Sequence, residues 1–532
     1  MAVTIFMNGS IYTGDPQYPL VQSVAVRDGK VIDVGDHDAI QLQWGRSDTE
    51  IIDLQGKTVT PGLIDSHLHL SGVASNFLYL DLTDVTSKDE LLQKIRVHAE
   101  KTPAGKWVIG RGWNENLFPD RQIPTIEELD RIAPHCPLFL TRICSHVFLA
   151  NSKAFEVSQY HPDMAIPSGG TIVQDPRTKK PTGLILESAA DIVQRHIPEP
   201  SYEEHKQALK QAVTLALKHG LTTVHTEDLN YLGGLHQTYT LYNELIHEEQ
   251  LGLRCNLLIY YTYVEELIER GMYTGFGNDQ LRIGAVKLFA DGALGGRTAL
   301  LSEPYADDPG HYGNEIHDRA TLYNIVRQVR HHNMPVAVHA IGDQALENVL
   351  DVLDRFPQVQ FRDRIIHAPI LRPDLIDRLK KGKYIVDIQP RFVASDFPWV
   401  IDRLGDRRAQ HSYIWKKMID SGIMCAGGSD APVEPIQPLL GIHAAVTRQS
   451  PHASSQVWNE TERLSVPEAI RLFTVGGAYA TNEEHVKGTL SVGKWADMTV
   501  YSKNIFAIHP DELLTTNVDM TIVGGKIQYT RE

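Results

Sequence analysis

The chain is poor in cysteine. Four cysteines in 532 residues (Cys136, Cys144, Cys255 and Cys425) form no CxxC pair. They supply no framework for a chain this long, so the simplest reading is reduced thiols in the cytoplasm. Long apolar runs are missing too; none approaches the ~20 residues that a membrane span needs. Positive charge is scarce: 51 Lys and Arg stand against 66 Asp and Glu, a formal net charge of −15. A field of that sign argues against nucleic acid and anionic membrane as partners. The opening residues Met1–Gly14 lack the basic-then-apolar layout of a signal peptide. No glycine-rich phosphate loop follows an early strand, which weighs against a doubly wound nucleotide-binding sheet. What remains is an ordinary globular composition, 42% hydrophobic and 22% charged. Its length exceeds the ~250–300 residues at which single cores stop growing, so at least two domains are expected.

The stretch Thr60-Pro61-Gly62-Leu63-Ile64-Asp65-Ser66-His67-Leu68-His69 is the most informative one. A largely apolar run leads into two histidines one residue apart. In a strand, residues i and i+2 share a face, so His67 and His69 would point the same way and could hold one metal ion. Alone the motif decides nothing: with 24 histidines in the chain, chance supplies about one His-x-His. It gains weight only if further ligand types end other apolar runs.

Residues 1–58 read as short strands joined by turns such as Asn8-Gly9 and Asp28-Gly29, and the far C-terminus does the same, with a turn at Gly524-Gly525. Both ends are expected to form one small β-sandwich domain, residues 1–58 plus 485–532. Residues 59–484 are expected to form the central unit, with an inserted subdomain over about 71–200, where periodic segments are short. From residue 201 the pattern turns regular. A Ser201/Glu204 capping box opens a helix that Gly220 stops. Six apolar runs follow, ending near His225, Lys287, His339, His367, Gln389 and Asp430, with helical patterns between several of them. Alternation of strand and helix means a parallel sheet covered on both faces. Seven such strands are visible counting the first, and an eighth could lie in the insert or near Leu253–Tyr260. The expected fold class is α/β: a (β/α)₈ barrel, whose active sites sit at the C-terminal ends of the strands.

Collected at those strand ends are His67, His69, Lys287, His339, His367 and Asp430. Imidazole and carboxylate are ligands for zinc and related divalent ions. Four segments then resemble the amidohydrolase superfamily of metal-dependent hydrolases: Pro61 to His69, Val338 to Asp343, Ile366 to Ala368 and Gly428 to Pro432. Gly488 to Asp497 matches as well. Residues 110–116, 142–154 around His146, and 286–299 are similar to the branch that holds N-substituted formamide deformylases.

The resemblance implies a site for two divalent metal ions, zinc being the expectation. His67 and His69 would hold one with Asp430, and His339 and His367 the other. Lys287, carboxylated by CO₂, would bridge them; an ammonium cannot bind a cation, whereas a carbamate presents two anionic oxygens. The ordinary alternative for Lys287 is a lysine paired with Asp291 or Glu227. Hydrolysis of a C–N bond follows, with Asp430 taking a proton from water and giving it to the leaving nitrogen. Trp113, His146, Phe392 and Trp399 could line a pocket. Phe118, Phe139 and Phe148 would add apolar area from the insert, and His225 and Glu227 could face or support the site. Arg297 and Arg391 could grip a substrate carbonyl or carboxylate, or neutralise acidic neighbours such as Asp291. The alternatives are a one-metal deaminase, an N-acyl amino acid hydrolase, and a non-catalytic binding protein on the same fold. Small-molecule substrate, no nucleic acid, no membrane and a possible homodimer complete the expectations.

Overall fold

The computed structural model describes residues 3–83, 85–142, 146–167, 169–450 and 456–532. Two compact units emerge: residues 1–73 together with 212–532, and residues 74–211.

The first unit holds an eight-stranded parallel sheet whose hydrogen-bonded order follows the sequence. Its strands are β1 (Leu63–Leu68), β2 (Leu221–Thr226), β3 (Arg254–Tyr260), β4 (Leu281–Phe289), β5 (Val336–Ala340), β6 (Arg364–His367), β7 (Ile385–Ile388) and β8 (Cys425–Gly427). The expected eighth strand is thus β3, near Leu253–Tyr260. Nearly every residue of these strands is buried, as the continuous apolar runs require when a parallel sheet is covered on both faces. Helices α1 (Arg319–His331), α2 (Asp343–Leu353) and α3 (Pro373–Gly382) alternate with β5, β6 and β7. This is the (β/α)₈ barrel.

Among the described residues no ladder joins β8 to β1, but the gap is closed just beyond β8. The amide of Asp430 donates to the carbonyl of His67 and the amide of His69 to that of Ala431, each at 2.8 Å. The Asp65 carboxylate accepts from the amides of His67 and Ser429, at 3.1 Å each. Gly428 is required here: a Cβ on it would stand 2.7 Å from the His67 nitrogen and 2.9 Å from its oxygen.

Two further sheets come from the termini. One has four strands, drawn from Thr4–Met7, Ser23–Arg27, Lys30–Gly35 and Glu50–Asp53; the other has six and interleaves Thr58–Pro61 with Met498–Tyr501 and Val518–Val523. Phe6, Val24 and Val31 of the first pack with Ile11, Val59, Met498 and Ile522 of the second in one apolar cluster. Thr58–Pro61 runs straight on into β1 through Gly62. The terminal sheets are tied to the barrel by Arg254 at the start of β3, whose Nε and Nη2 donate to the two oxygens of Asp497 at 2.7 and 3.1 Å. The Trp495 ring lies 4.5 Å from the same guanidinium.

The second unit contains a six-stranded mixed sheet that includes Val108–Trp113, Leu138–Arg142 and Val147–Ala150. Its cores bury Trp113, Phe118, Phe139 and Phe148. These four side chains are buried in the unit's own interior. Large rings are the efficient way to fill the core of a small unit. Cys136, Cys255 and Cys425 are buried free thiols; Cys144 lies outside the described residues. Among the described residues, no helix is long and apolar enough to cross a membrane.

The Arg254–Asp497 pair generates a prediction. Both partners are buried, so Asp497→Ala leaves an uncompensated guanidinium and should lower stability by ~3–5 kcal/mol. Denaturant unfolding is the measurement; a shift within error of zero would mean that the pair does not hold the terminal sheets to the barrel.

Candidate metal centre

The side chains assembled at the C-terminal end of the barrel are those that ended the apolar runs. His67 and His69 project from the end of β1. Asp430 follows β8 and is brought to them by the backbone bonds that close the barrel. His67, His69 and Asp430 each offer one ligand atom, and all three atoms lie within 4.8 Å of one another. The Asp430 carboxylate stands 3.4 Å from His67 Nε2 and 3.6 Å from His69 Nε2. Lys287 of β4 places Nζ 3.3 Å from His67 Nε2. It therefore lies against the histidines rather than in an ion pair with Asp291. The His339 and His367 rings of β5 and β6 stand edge to face with centroids 4.6 Å apart, and His367 is 5.7 Å from His67.

Hydrogen bonds set which nitrogen each ring turns inward. His69 Nδ1 lies 2.8 Å from the Glu227 carbonyl and donates to it, leaving Nε2 toward Asp430. His367 Nδ1 lies 2.7 Å from Gln389 Oε1. The Gln389 amide donates to the Asp387 carbonyl at 3.2 Å, so its oxygen faces the ring and His367 Nε2 is left free. His339 Nε2 donates to the Gly292 carbonyl at 3.0 Å, which frees Nδ1. Fixing the tautomer through the second ring nitrogen is how proteins orient imidazole ligands.

Burial sets the charges. It drives His67 and His367 well below the usual imidazole range and His339 down to about 3, with the neighbouring Lys287 adding to the effect at all three. Neutral imidazoles keep the lone pair that a metal needs. Burial also lifts Asp430 to about 6, against the pull of His69 and Lys287, and it lowers Lys287 toward the neutral amine. The donor set fits a divalent cation: two imidazoles converge on a buried carboxylate, with two more imidazoles close by.

The backbone is strained at two of these positions. His367 has φ 79° and Asp430 φ 57°. Neither is glycine, and such conformations persist only where the surroundings over-determine them.

Several contributing residues had no assigned role from sequence. Asp65 ties β1 to the segment after β8. Fully buried Arg364 donates through Nε to Asp387 at 2.8 Å and through Nη2 to the Ser66 carbonyl, and so braces the strand that carries His67. Gln389 orients His367. Asp291 accepts the amides of Leu300, Ile341 and Gly342, and so anchors the loops after β4 and β5. Apart from Arg364, which opens β6, each of these is a polar residue at or near the end of an apolar run.

The expected substrate residues fare differently. Arg297 is paired with Asp307 at 2.9 Å, not with Asp291. Arg391 follows β7 and pairs with Glu434 at 3.2 Å. Phe392 is stacked on His367, 6.1 Å between centroids. His146 belongs to the second unit, where its Nδ1 meets Glu187 at 2.8 Å. Trp113 is sealed in that unit's core.

A parallel barrel with imidazoles and a carboxylate gathered at its C-terminal end defines a metal-dependent hydrolase. The family model described as "Amidohydrolase family" matches residues 50–529. The chain is 42% identical to YtcJ of Bacillus subtilis (strain 168), over 99% of both chains. It is 24% identical to the N-substituted formamide deformylase of Arthrobacter pascens, over 99% of this chain and 98% of that one. The crystal structure of an uncharacterized metal-dependent hydrolase from Pyrococcus furiosus superposes with a TM-score of 0.77 at 30% identity, covering 95% of this chain and 100% of that one. The chain belongs to the amidohydrolase family, and with it to the hydrolases of carbon–nitrogen bonds.

Gln389→Leu removes the acceptor that orients His367 and should weaken metal affinity by ~10–100-fold with little change in unfolding temperature. Competition with a chelator measures it, and unchanged affinity would detach Gln389 from the site.

Proposed function

We propose that the protein hydrolyses an amide or N-formyl group of a small molecule with two divalent ions, zinc the expected metal. The observation that carries this is the approach of Lys287 Nζ to His67 Nε2 beside the His67–His69–Asp430 group. His67, His69 and Asp430 would hold one ion and His339 with His367 the other. Lys287 would lie between them as a carbamate, its neutral nitrogen adding to the carbon of CO₂ with loss of a proton. The chemistry such ions supply is Lewis acidity, which activates water near neutral pH and polarises a carbonyl.

The chain's own groups do the rest. Asp430 takes the proton from the attacking water and passes it to the leaving nitrogen. A carboxyl raised toward neutrality by burial is suited to both halves of that transfer. Glu227, through its backbone carbonyl, and Gln389 hold two of the imidazoles in orientation. Apolar surface for the substituent on nitrogen comes from the barrel unit itself. Phe392 stacks on His367, Tyr231 lies 6.1 Å from His69 and 56% exposed, and Val433 is 67% exposed three residues after Asp430. The terminal sheets are taken as one β-sandwich domain and residues 74–211 as the insertion. A cytoplasmic location, a homodimer, and no nucleic-acid or membrane partner belong to the same reading.

Elemental analysis after zinc loading should plateau at about two ions per chain. Lys287→Ala should lose activity and retain less metal, and a short-chain carboxylic acid in bicarbonate-free buffer should restore part of both. A plateau at one ion in the parent protein would leave the one-metal alternative.

Asp430→Asn should lower kcat by ~10²–10⁴, with less effect on KM. Because the base must be ionised to act, activity of the parent should fall as the pH drops through its ionisation, and Asp430→Asn should flatten that limb. An unchanged kcat at full metal loading would move the base elsewhere.

An N-benzylformamide-like compound should be cleaved faster than an N-acyl amino acid of equal size. The reverse order, abolished by Arg391→Met, would make the enzyme an N-acyl amino acid hydrolase.

A further inference from the structure

Arg111 and Gly112 of the segment 110–116 meet Arg142 and His146 in the second unit. Together with the chain that follows Leu186 they line a cavity of about 590 Å³, within the size range of small-ligand pockets. Its walls include Arg111, Gly112, Arg142, His146, Glu187 and Asp191.

The charges of these residues divide into matched and unmatched. Arg142 is held by Glu115, with Nε and Nη2 at 2.7 and 3.0 Å from its two oxygens. His146 Nδ1 is held by Glu187. Two charged side chains are left over. The Arg111 guanidinium lies 4.0 Å over the Tyr79 ring; among the described residues it makes no ion pair. Asp191 is exposed and likewise makes none, nor do the two pair with each other. One cation and one anion therefore face the same cavity without a partner.

The walls are rigid where they matter. Gly112 has φ 96°, and a Cβ on it would stand 2.5 Å from Thr83 Oγ1. Glu187 holds φ 53° without being glycine. Its amide donates to the His146 carbonyl at 2.9 Å while its carboxylate accepts from the His146 ring. Strain of this kind persists where packing over-determines it, and it concentrates at ligand clamps. Stacking on Tyr79 limits the freedom of the Arg111 fork, and a planar fork matches a carboxylate.

We propose that this cavity binds a small zwitterion carrying an ammonium and a carboxylate, of the free amino acid class, with Arg111 taking the carboxylate and Asp191 the ammonium. A simple anion is a poorer occupant, because it leaves the Asp191 carboxylate unmatched. A simple amine leaves Arg111 unmatched. The proposal does not rest on the reaction assigned to the metal centre, so its failure would leave that reading intact.

The test uses the full-length, metal-loaded protein and three probes of one shape, with calorimetric titration as the readout: L-phenylalanine, 3-phenylpropionate and phenethylamine. L-phenylalanine should bind at least about tenfold tighter than either single-charge probe. Arg111→Met should remove its advantage over phenethylamine, and Asp191→Asn its advantage over 3-phenylpropionate. Arg111→Lys, which keeps the charge and loses the fork, should retain part of the binding. Both positions are exposed, and unchanged unfolding curves would show that the variants fold. Equal binding of the three probes, no binding of L-phenylalanine, or binding that survives both substitutions would overturn the proposal.

Discussion

The candidate site depends first on how the last barrel strand meets the first. Residues 364 apart in sequence are joined there by the Asp65 carboxylate, which takes the amide of Ser429 as well as that of His67. Two backbone hydrogen bonds beside it, Asp430 to His67 and His69 to Ala431, set Asp430 against the two histidines. The same contact closes the sheet and builds the ligand group, so barrel closure and metal-site assembly are one event. Gly428 belongs to this joint, since any side chain there would push into the backbone of His67.

Burial then sets the chemistry of what closure has brought together. A cluster of imidazoles and a lysine in water would be partly protonated, and mutual repulsion would oppose it. Away from water the neutral forms win at His67, His339 and His367, and the lysine moves the same way. The residues below the site absorb the remaining charge. Arg364 and Asp387 pair within the barrel, and the same arginine bonds the carbonyl of Ser66. A buried pair of this kind contributes little net stability compared with an apolar replacement. Its geometric effect is larger, because it ties β6 and β7 to the strand that carries His67 and His69.

Much of this was legible in the chain because the relevant signals are local. A parallel strand buried on both faces writes itself as an apolar run, and the polar residue that ends the run marks the C-terminal mouth of the barrel. His67, His69, Lys287, His339, His367 and Asp430 could be collected on that rule, and the structure brings their side chains to one end of the sheet. Roles that depend on a tertiary partner could not be read in the same way. Nothing near Gln389 in sequence says that its amide faces His367, and nothing near Arg297 says that Asp307 rather than Asp291 receives it. Aromatic residues misled for a related reason. Trp113, Phe118, Phe139 and Phe148 look alike in sequence whether they line a pocket or fill a core, and an inserted unit of this size needs them for its interior. The apolar side chains beside the histidines, Tyr231 and Phe392, are isolated residues that carry no periodic signal.

The interleaving of Thr58–Pro61 with Met498–Tyr501 has a consequence for the order of events during synthesis. The early strand emerges from the ribosome long before the later one exists, and for most of translation its edge has no neighbour on that side. An unpaired edge with Val59 beside it is a surface to which other chains can add. The long delay is inherent in pairing between strands so far apart. A nascent chain of this protein therefore carries an aggregation hazard that disappears only when its final strands are made. Prolonged pausing in the last third of the message would lengthen that exposure, whereas pausing in the first sixty codons would not.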